Sequence, residues 1–411
     1  MRTAGILTMH RPDNYGSYLQ TVATYEFVKK QGLLPTIIDY MYPTDYHLSV
    51  RKAVESKTVP ESFFRKKISG LCRRLIHSNR NVHLQRMKRF YEKHITMTRP
   101  YKSAEELVSN PPEFDVYVSG SDQIWNPKFI GNDTSFLLSW TKEEKKRIAY
   151  ASSFAIKEIP QEYKESFAKN LKRYDKIGIR EQSDILPCLT GQESNVVLDP
   201  TFLFDKDEWG RMVKMPSLVN GKYILCYFLS YNFSPYPYAY DLIRYMQRKT
   251  GYKVVMIDAD PINILKGYKL FNEIGPEEFI SLFQNASYVI TSSFHGTAFS
   301  INFEKPFITV VDDDKSNKDN RQISLIRELG VSLERVAWKG KNVNVIKLDE
   351  NIEWHEELEI KRAYSIEYFK QALAHDIIAK TKCAFFQNEM CIFCIFFAVS
   401  QLVLNGLLNG F

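Results

Sequence analysis

Several familiar signatures are missing from this 411-residue chain, and each absence removes a class of function. It has no G-x-G-x-x-G and no G-x-x-x-x-G-K-[ST], so the usual glycine cradles for dinucleotides and ATP are excluded. No G-x-S-x-G elbow and no H-E-x-x-H helix occur, which removes the common serine-hydrolase and zinc-protease arrangements. Its six cysteines (Cys72, Cys188, Cys226, Cys383, Cys391 and Cys394) are too sparse and irregular for a disulfide framework and point to a reducing cytoplasm. Cys391 and Cys394 have a metal-site spacing, but only Cys383 lies near them, so no metal site is expected. The first strand, AGILTM from Ala4, follows no basic-then-apolar leader, which again points to the cytoplasm. No solenoid-type period recurs.

What remains is the composition of a soluble globular protein, 44% hydrophobic and 25% charged, long enough for two domains that each bury a core. Aromatic residues reach 14%, which suits carbohydrate handling without identifying it. Charge is uneven. Residues 51–102 carry 15 Lys/Arg against three Glu, a larger surplus than the +7 of the whole chain, so the remainder is net acidic.

Apolar runs alternate with helical patterns. Strand, loop HRPDNYG, a helix over about 17–31 and strand PTIIDY open the chain as a βαβ unit, with Ser17 and Gln20 at capping-box spacing. Residues 43–105 interrupt this rhythm with a basic, helical insertion. FDVYVSGSDQIWNP, KRIAYASSFA, a helix near 161–174, KIGIRE and VVLDPTFLF complete the first run. After a linker near 205–220 come YILCYFLS, a helix near 236–249, KVVMID, a helix near 276–285, YVITSS, HGTAFSINFE and PFITV. The pattern predicts an α/β protein with two Rossmann-like domains facing a cleft, residues 1–204 and 205–345. A helical segment, 346–382, and an apolar tail, 383–411, follow. The tail is short and Asn/Gly-broken for a bilayer span. It reads as a packed helix, a weak anchor, or sequence from a disrupted reading frame.

The most informative stretch is YVITSSFHGTAFSINFEKPFITV, residues 288–310. Strand, polar turn, helix and strand in that order put His295 and free helix amides at the carboxyl end of a parallel strand, where open α/β sheets bind ligands. The helix N-terminus favours an anion, and a histidine can carry protons near neutral pH. Taken alone, a histidine here is more often its own helix's cap. Other polar groups share the strand-end position: Asp13, Asn14 and Gly16; Ser119, Gly120, Ser121 and Asp122; Ser152, Ser153 and Arg180; Ser292, Ser293 and Gly296; Asn320 and Arg321. Each has a structural excuse, but together they suit an anionic ligand such as a phosphorylated carboxylate. Asp258-Ala-Asp260 could mimic a metal-binding D-x-D, though a turn is the simpler reading.

The landmarks DNYGSYLQTVATYEFVKKQG (13–32), FDVYVSGSDQIWNP (114–127), KIGIRE (176–181), VVLDPTFLF (196–204), residues 288–310 and NRQISLIRELG (320–330) resemble those of the polysaccharide pyruvyl transferase family over about residues 3–335. The resemblance implies a GT-B-like fold and transfer of pyruvate from phosphoenolpyruvate to a saccharide, forming a ketal without any cofactor or metal. It makes His295 the catalytic residue and Arg180 a donor contact, with Ser292, Ser293, Gly296 and Arg321 beside the donor. Asp13, Asn14, Gly16 and Ser119–Asp122 then face the acceptor or line the cleft. Where characterised members tend to carry arginine two places before the histidine, this chain has Ser293, with Arg321 the candidate substitute. A sugar-nucleotide-dependent glycosyltransferase of the same fold and a non-catalytic member of an assembly complex stay open. The acceptor could be lipid-linked. The basic residues 51–102, interleaved with Phe63, Phe64, Ile68, Leu71, Leu75, Ile76, Phe90 and Tyr91, could touch the inner membrane face. A solvated arm is the equal alternative, and no nucleic-acid motif accompanies the charge.

Overall fold

Short apolar runs build two sheets in a computed structural model that describes residues 1–41, 81–229, 233–312, 321–346 and 350–374. In the first half β1 (Thr3–Leu7), β2 (Leu34–Ile37), β3 (Val116–Ser119), β4 (Lys146–Ser152), β5 (Lys176–Ile179) and β6 (Asn195–Val196) pair in the order β2-β1-β3-β4-β5-β6. In the second half β7 (Tyr223–Tyr227), β8 (Lys253–Ile257), β9 (Lys269–Phe271), β10 (Tyr288–Thr291), β11 (Phe307–Val311) and β12 (Val336–Trp338) pair as β12-β11-β10-β7-β8-β9. Every pairing is parallel. Strands β3, β7, β10 and β11 are buried along their whole length, which is why they read as apolar runs rather than alternating ones.

Both strand orders reverse direction once, between β1 and β3 in the first sheet and between β7 and β10 in the second. Ligand crevices form outside the carboxyl ends of strands at such switch points. Helix α1 (Tyr15–Lys30) leaves β1 at the first of them. Its cap is Asn14, whose side chain accepts from the Ser17 amide at 2.8 Å. This corrects the Ser17–Gln20 capping box: the helix starts two residues earlier, and Gln20 is buried with its amide donating to Thr8 Oγ1 at 3.1 Å.

The described end of the basic insertion is also corrected. Residues 81–94 form helix α2, in which Phe90 and Tyr91 are buried rather than presented to a membrane. Tyr91 stacks on Tyr18 of α1 at 4.1 Å and donates to the His10 carbonyl at 2.9 Å. On the second domain, α2 meets α3 (Pro276–Asn285), where Arg86 pairs with Glu278, and Lys93 with Glu277 at 2.5 Å. The helix therefore straddles both domains. Phe63, Phe64, Ile68, Leu71, Leu75 and Ile76 lie outside the described residues.

Two further helices frame the second switch point, α4 (Phe294–Asn302) after β10 and α5 (Arg321–Glu328) after β11. The described residues up to 366 form one compact unit, and residues 367–374, which belong to a second, are helical. Within the first unit, the helix that starts at residue 355 returns to both domains: Arg362 donates to the Phe202 carbonyl at 2.6 Å and to Asn302 Oδ1 at 2.9 Å. The tail 383–411 lies outside the described residues. Among them, no helix is long and apolar enough to cross a membrane.

Candidate functional site

The two switch points face one another, and Gly16 and His295 meet between them. A Cβ built on Gly16 would lie 2.0 Å from His295 Nδ1, so only glycine lets the α1 backbone pass beneath this ring. His295 sits in the first turn of α4 and is 7% exposed. Its Nε2 lies 3.7 Å from Asp199 Oδ2, an ion-pair distance rather than a hydrogen bond.

Asp199 is the hub. Its Oδ2 accepts from Arg180 Nη1 at 3.0 Å and from Ser121 Oγ at 2.9 Å, while Oδ1 accepts from Thr201 Oγ1 at 2.8 Å. Arg180 also approaches Asp122, with Nη2 3.7 Å from Oδ1, and lays its guanidinium over the Phe294 ring at 4.3 Å. Arg321 of α5 stands over the same ring at 5.5 Å. In the amide orientation that satisfies both groups, the Gln123 oxygen accepts from Arg321 at 3.2 and 3.3 Å. Arg180, Arg321 and His295 thus converge around Phe294 with Asp122 and Asp199 behind them.

Burial opposes ionisation of Asp199, but His295, Arg180 and the Thr201 amide outweigh it and hold the carboxyl well below its usual range. Asp122 is likewise lowered against its burial, by Arg180, His295 and Arg321. Burial disfavours the Arg180 cation, yet Asp199, Asp122 and Glu181 raise its pKa further. Among the described residues, Arg180 Nε and Nη2, Glu181 Oε2 and His295 Nε2 are buried with no hydrogen-bond partner in the protein. Groups of that kind call for a ligand or water. A cavity of 270 Å³ adjoins Arg180 and Glu181, lined also by Asp199, Arg327, Glu328 and Lys361.

Several expected site residues do other work. Ser293 caps α4, its Oγ accepting from the Gly296 amide at 3.2 Å, so that amide is taken. Gly296 is needed for packing, because a Cβ there would fall 2.2 Å from Thr291 Oγ1. Ser292 Oγ joins the Leu229 backbone, accepting from its N–H at 3.0 Å and donating to its carbonyl at 3.1 Å. Ser119 turns inward to Tyr174 Oη at 2.5 Å and the Phe136 carbonyl, away from the cleft, and Gly120 packs on Thr8. Asp122 has φ 73°, and its Oδ2 accepts from Ser17 Oγ at 3.3 Å. Ser152 Oγ donates to the Gly120 carbonyl at 3.1 Å, and Ser153 Oγ to Glu181 Oε1 at 2.7 Å. Asn14 is spent on its cap, whereas Asp13 meets His83 of α2, with Oδ1 2.9 Å from Nε2. Asn320 lies outside the described residues.

Asp199 was not singled out from sequence, although the rule that selected its neighbours applies to it: it ends the apolar run VVL before Pro200. Phe294 and Gln123 carry no such signal. Among the described residues no three His, Cys, Asp or Glu side chains are arranged to hold a metal ion.

Facing Rossmann-like domains, a cleft at paired switch points and a final helix crossing back define a GT-B-like α/β protein. UDP-GlcNAc 2-epimerase from Methanocaldococcus jannaschii has this fold, with a TM-score of 0.52 at 13% identity over 91% of this chain and 100% of that chain. So does UDP-GlcNAc 2-epimerase from Neisseria meningitidis bound to UDP-GlcNAc, with a TM-score of 0.50 at 10% identity over 93% and 100%. No curated protein matches the sequence. The chain belongs to the polysaccharide pyruvyl transferase family, whose model matches residues 14–314. Family membership makes it a polysaccharide-modifying transferase.

Proposed function

We propose that the cleft transfers pyruvate from phosphoenolpyruvate to two hydroxyls of a saccharide, forming a ketal and releasing phosphate. The observation that carries this reading is the convergence of Arg180, Arg321 and His295 around Phe294, with buried Arg180 and His295 nitrogens left without a protein partner. Two guanidinium groups match a donor that bears a phosphate and a carboxylate.

Phosphoenolpyruvate gains a proton at its CH₂ carbon, and the central carbon becomes oxocarbenium-like. One saccharide hydroxyl adds there, the bond to the phosphate oxygen breaks, and a second hydroxyl closes the ketal. Of the two hydroxyl protons, one offsets the proton placed on carbon and the other leaves with phosphate. His295 relays protons, since its Nε2 faces the cluster while Asp199 stabilises the imidazolium. Arg180 holds the anion, and Asp199 fixes Arg180 in place. Ser293 caps the helix where other members tend to have arginine, and Arg321 supplies positive charge over the same ring.

Thermal shift with phosphoenolpyruvate, UDP-sugars and inorganic phosphate, followed by phosphate release in the presence of saccharide, tests the proposal. Stabilisation by phosphoenolpyruvate and saccharide-dependent release are expected. Stabilisation by UDP-sugars alone would move the protein to the glycosyltransferases. No response to any of these would favour a non-catalytic role.

A further inference from the structure

On the other side of Gly16, four titratable side chains from distant parts of the chain meet where the two domains touch. His83 of α2 is 8% exposed. Its Nε2 is 2.9 Å from Asp13 Oδ1, on the loop after β1, and its Nδ1 is 2.7 Å from the Ile274 carbonyl, just before α3. Neither partner has a hydrogen to give: a carbonyl oxygen and a carboxylate only accept. Both ring nitrogens must therefore donate, and only the imidazolium has two N–H groups. Tyr15 Oη does not compete for it, lying 3.5 Å from Nδ1 and donating instead to Asp258 Oδ1 at 3.2 Å.

We propose that His83 is an interdomain clasp: as an imidazolium it ties Asp13 of the first domain to Ile274 of the second, so that closure of the cleft depends on pH. The clasp goes beyond the donor reading and needs no substrate. The charged and titratable groups around it are Asp13, Tyr15 of α1, Asp258 at the end of β8 and, one turn along α2, Arg86 with its partner Glu278 of α3.

The titration of the ring sets the direction. Burial alone would lower the His83 pKa, but the bonds to Asp13 and Ile274 and the charges of Asp13 and Asp258 outweigh it and raise it. A raised histidine pKa means that the closed form is favoured while the ring is protonated and loses that advantage as pH rises through the raised value. Opening therefore follows the raised histidine value.

Small-angle scattering of the full chain from pH 5 to pH 9 tests this. The radius of gyration should grow with rising pH in the wild type and stay flat in His83→Gln. Asp13→Asn keeps the ring but removes the charge that raises its pKa, so its opening midpoint should fall to lower pH. A pH-invariant wild type, or His83→Gln following the wild-type curve, would overturn the clasp. If His83→Gln does not fold, the Asp13→Asn midpoint decides alone: an unmoved midpoint overturns it.

Discussion

The cleft holds two polar clusters, on either side of Gly16, that contain their charge in different ways. Around Arg180 nearly every partner comes from strand ends of the first sheet: Ser121 and Asp122 after β3, Glu181 after β5, Asp199 after β6. His295 and the Phe294 ring are added from across the cleft. Around His83 the load is shared, with Asp13 on one domain and Ile274 and Asp258 on the other. The first cluster keeps the ion pairs of Arg180 whatever the domains do, and the second exists only when they meet. A preformed charge cluster suits anion binding, whereas a shared one suits control of how far the walls stand apart.

The sharpest way to break this division is at the point where the first cluster does depend on the second domain. His295→Gln should lower turnover by roughly 10²–10⁴-fold, the usual worth of a positioned proton carrier, while the melting temperature stays near wild type. Gly16→Ala should cost nearly as much, because its Cβ would occupy the space of the imidazole ring. Phosphate release from phosphoenolpyruvate and saccharide reads both. An active Gly16→Ala would show that the domains are not held at the observed separation.

Next in size is the internal balance of the first cluster. Arg180→Met leaves Asp199 buried without the cation hydrogen-bonded to it, a change that costs about 3–5 kcal/mol. The sign with pH follows from the depressed Asp199 carboxyl. Its pairing stabilises the fold above the unfolded carboxylate value, about 3.9, and is lost as pH falls through the lower folded value. Removing Arg180 should therefore move acid unfolding to higher pH. Denaturant titration at pH 7 and an acid titration followed by circular dichroism check the two parts; an unchanged acid midpoint would mean that His295 alone holds the charge.

The same division marks how far the sequence could be read. The switch points were legible because parallel strands announce themselves as apolar runs, and polar residues after them fall at the carboxyl ends by geometry alone. This rule names Asp122, Arg180 and His295, which the structure brings together, and applied once more it reaches Asp199. It could not say which hydroxyls were already engaged: Ser119 and Ser292 obey the rule yet bond to backbone or core groups, because one residue along a strand end reverses the direction of a side chain. The second cluster was illegible for another reason. His83 lies 70 residues from Asp13 and 191 from Ile274, inside a segment whose charge suggested a surface arm. No local pattern encodes a contact that appears only when two domains dock.

A smaller effect tests whether Arg321 stands in for a missing arginine. Ser293→Arg removes the cap on the Gly296 amide and should cost about 1 kcal/mol of stability. Arg321→Ala should weaken phosphoenolpyruvate binding with little loss of stability. Calorimetric titration compares the variants: tighter binding in Ser293→Arg with no change in Arg321→Ala would assign the phosphate to the family's position and leave Arg321 a bystander.

The smallest effect belongs to the rim of the second cluster. Lys93 and Glu277 cross the same domain boundary as His83, with their side chains 55% and 29% exposed. Water competes for such a pair and salt screens it over about 8 Å at physiological ionic strength, so Lys93→Ala should cost no more than about 1 kcal/mol and less in high salt. Because the clasp assigns the pH response to the buried imidazolium rather than to boundary charge in general, the scattering curve of Lys93→Ala should overlay that of the wild type from pH 5 to pH 9. A flattened curve would spread the response over every ion pair between α2 and α3, and would dissolve the distinction between a buried clasp and its solvated rim.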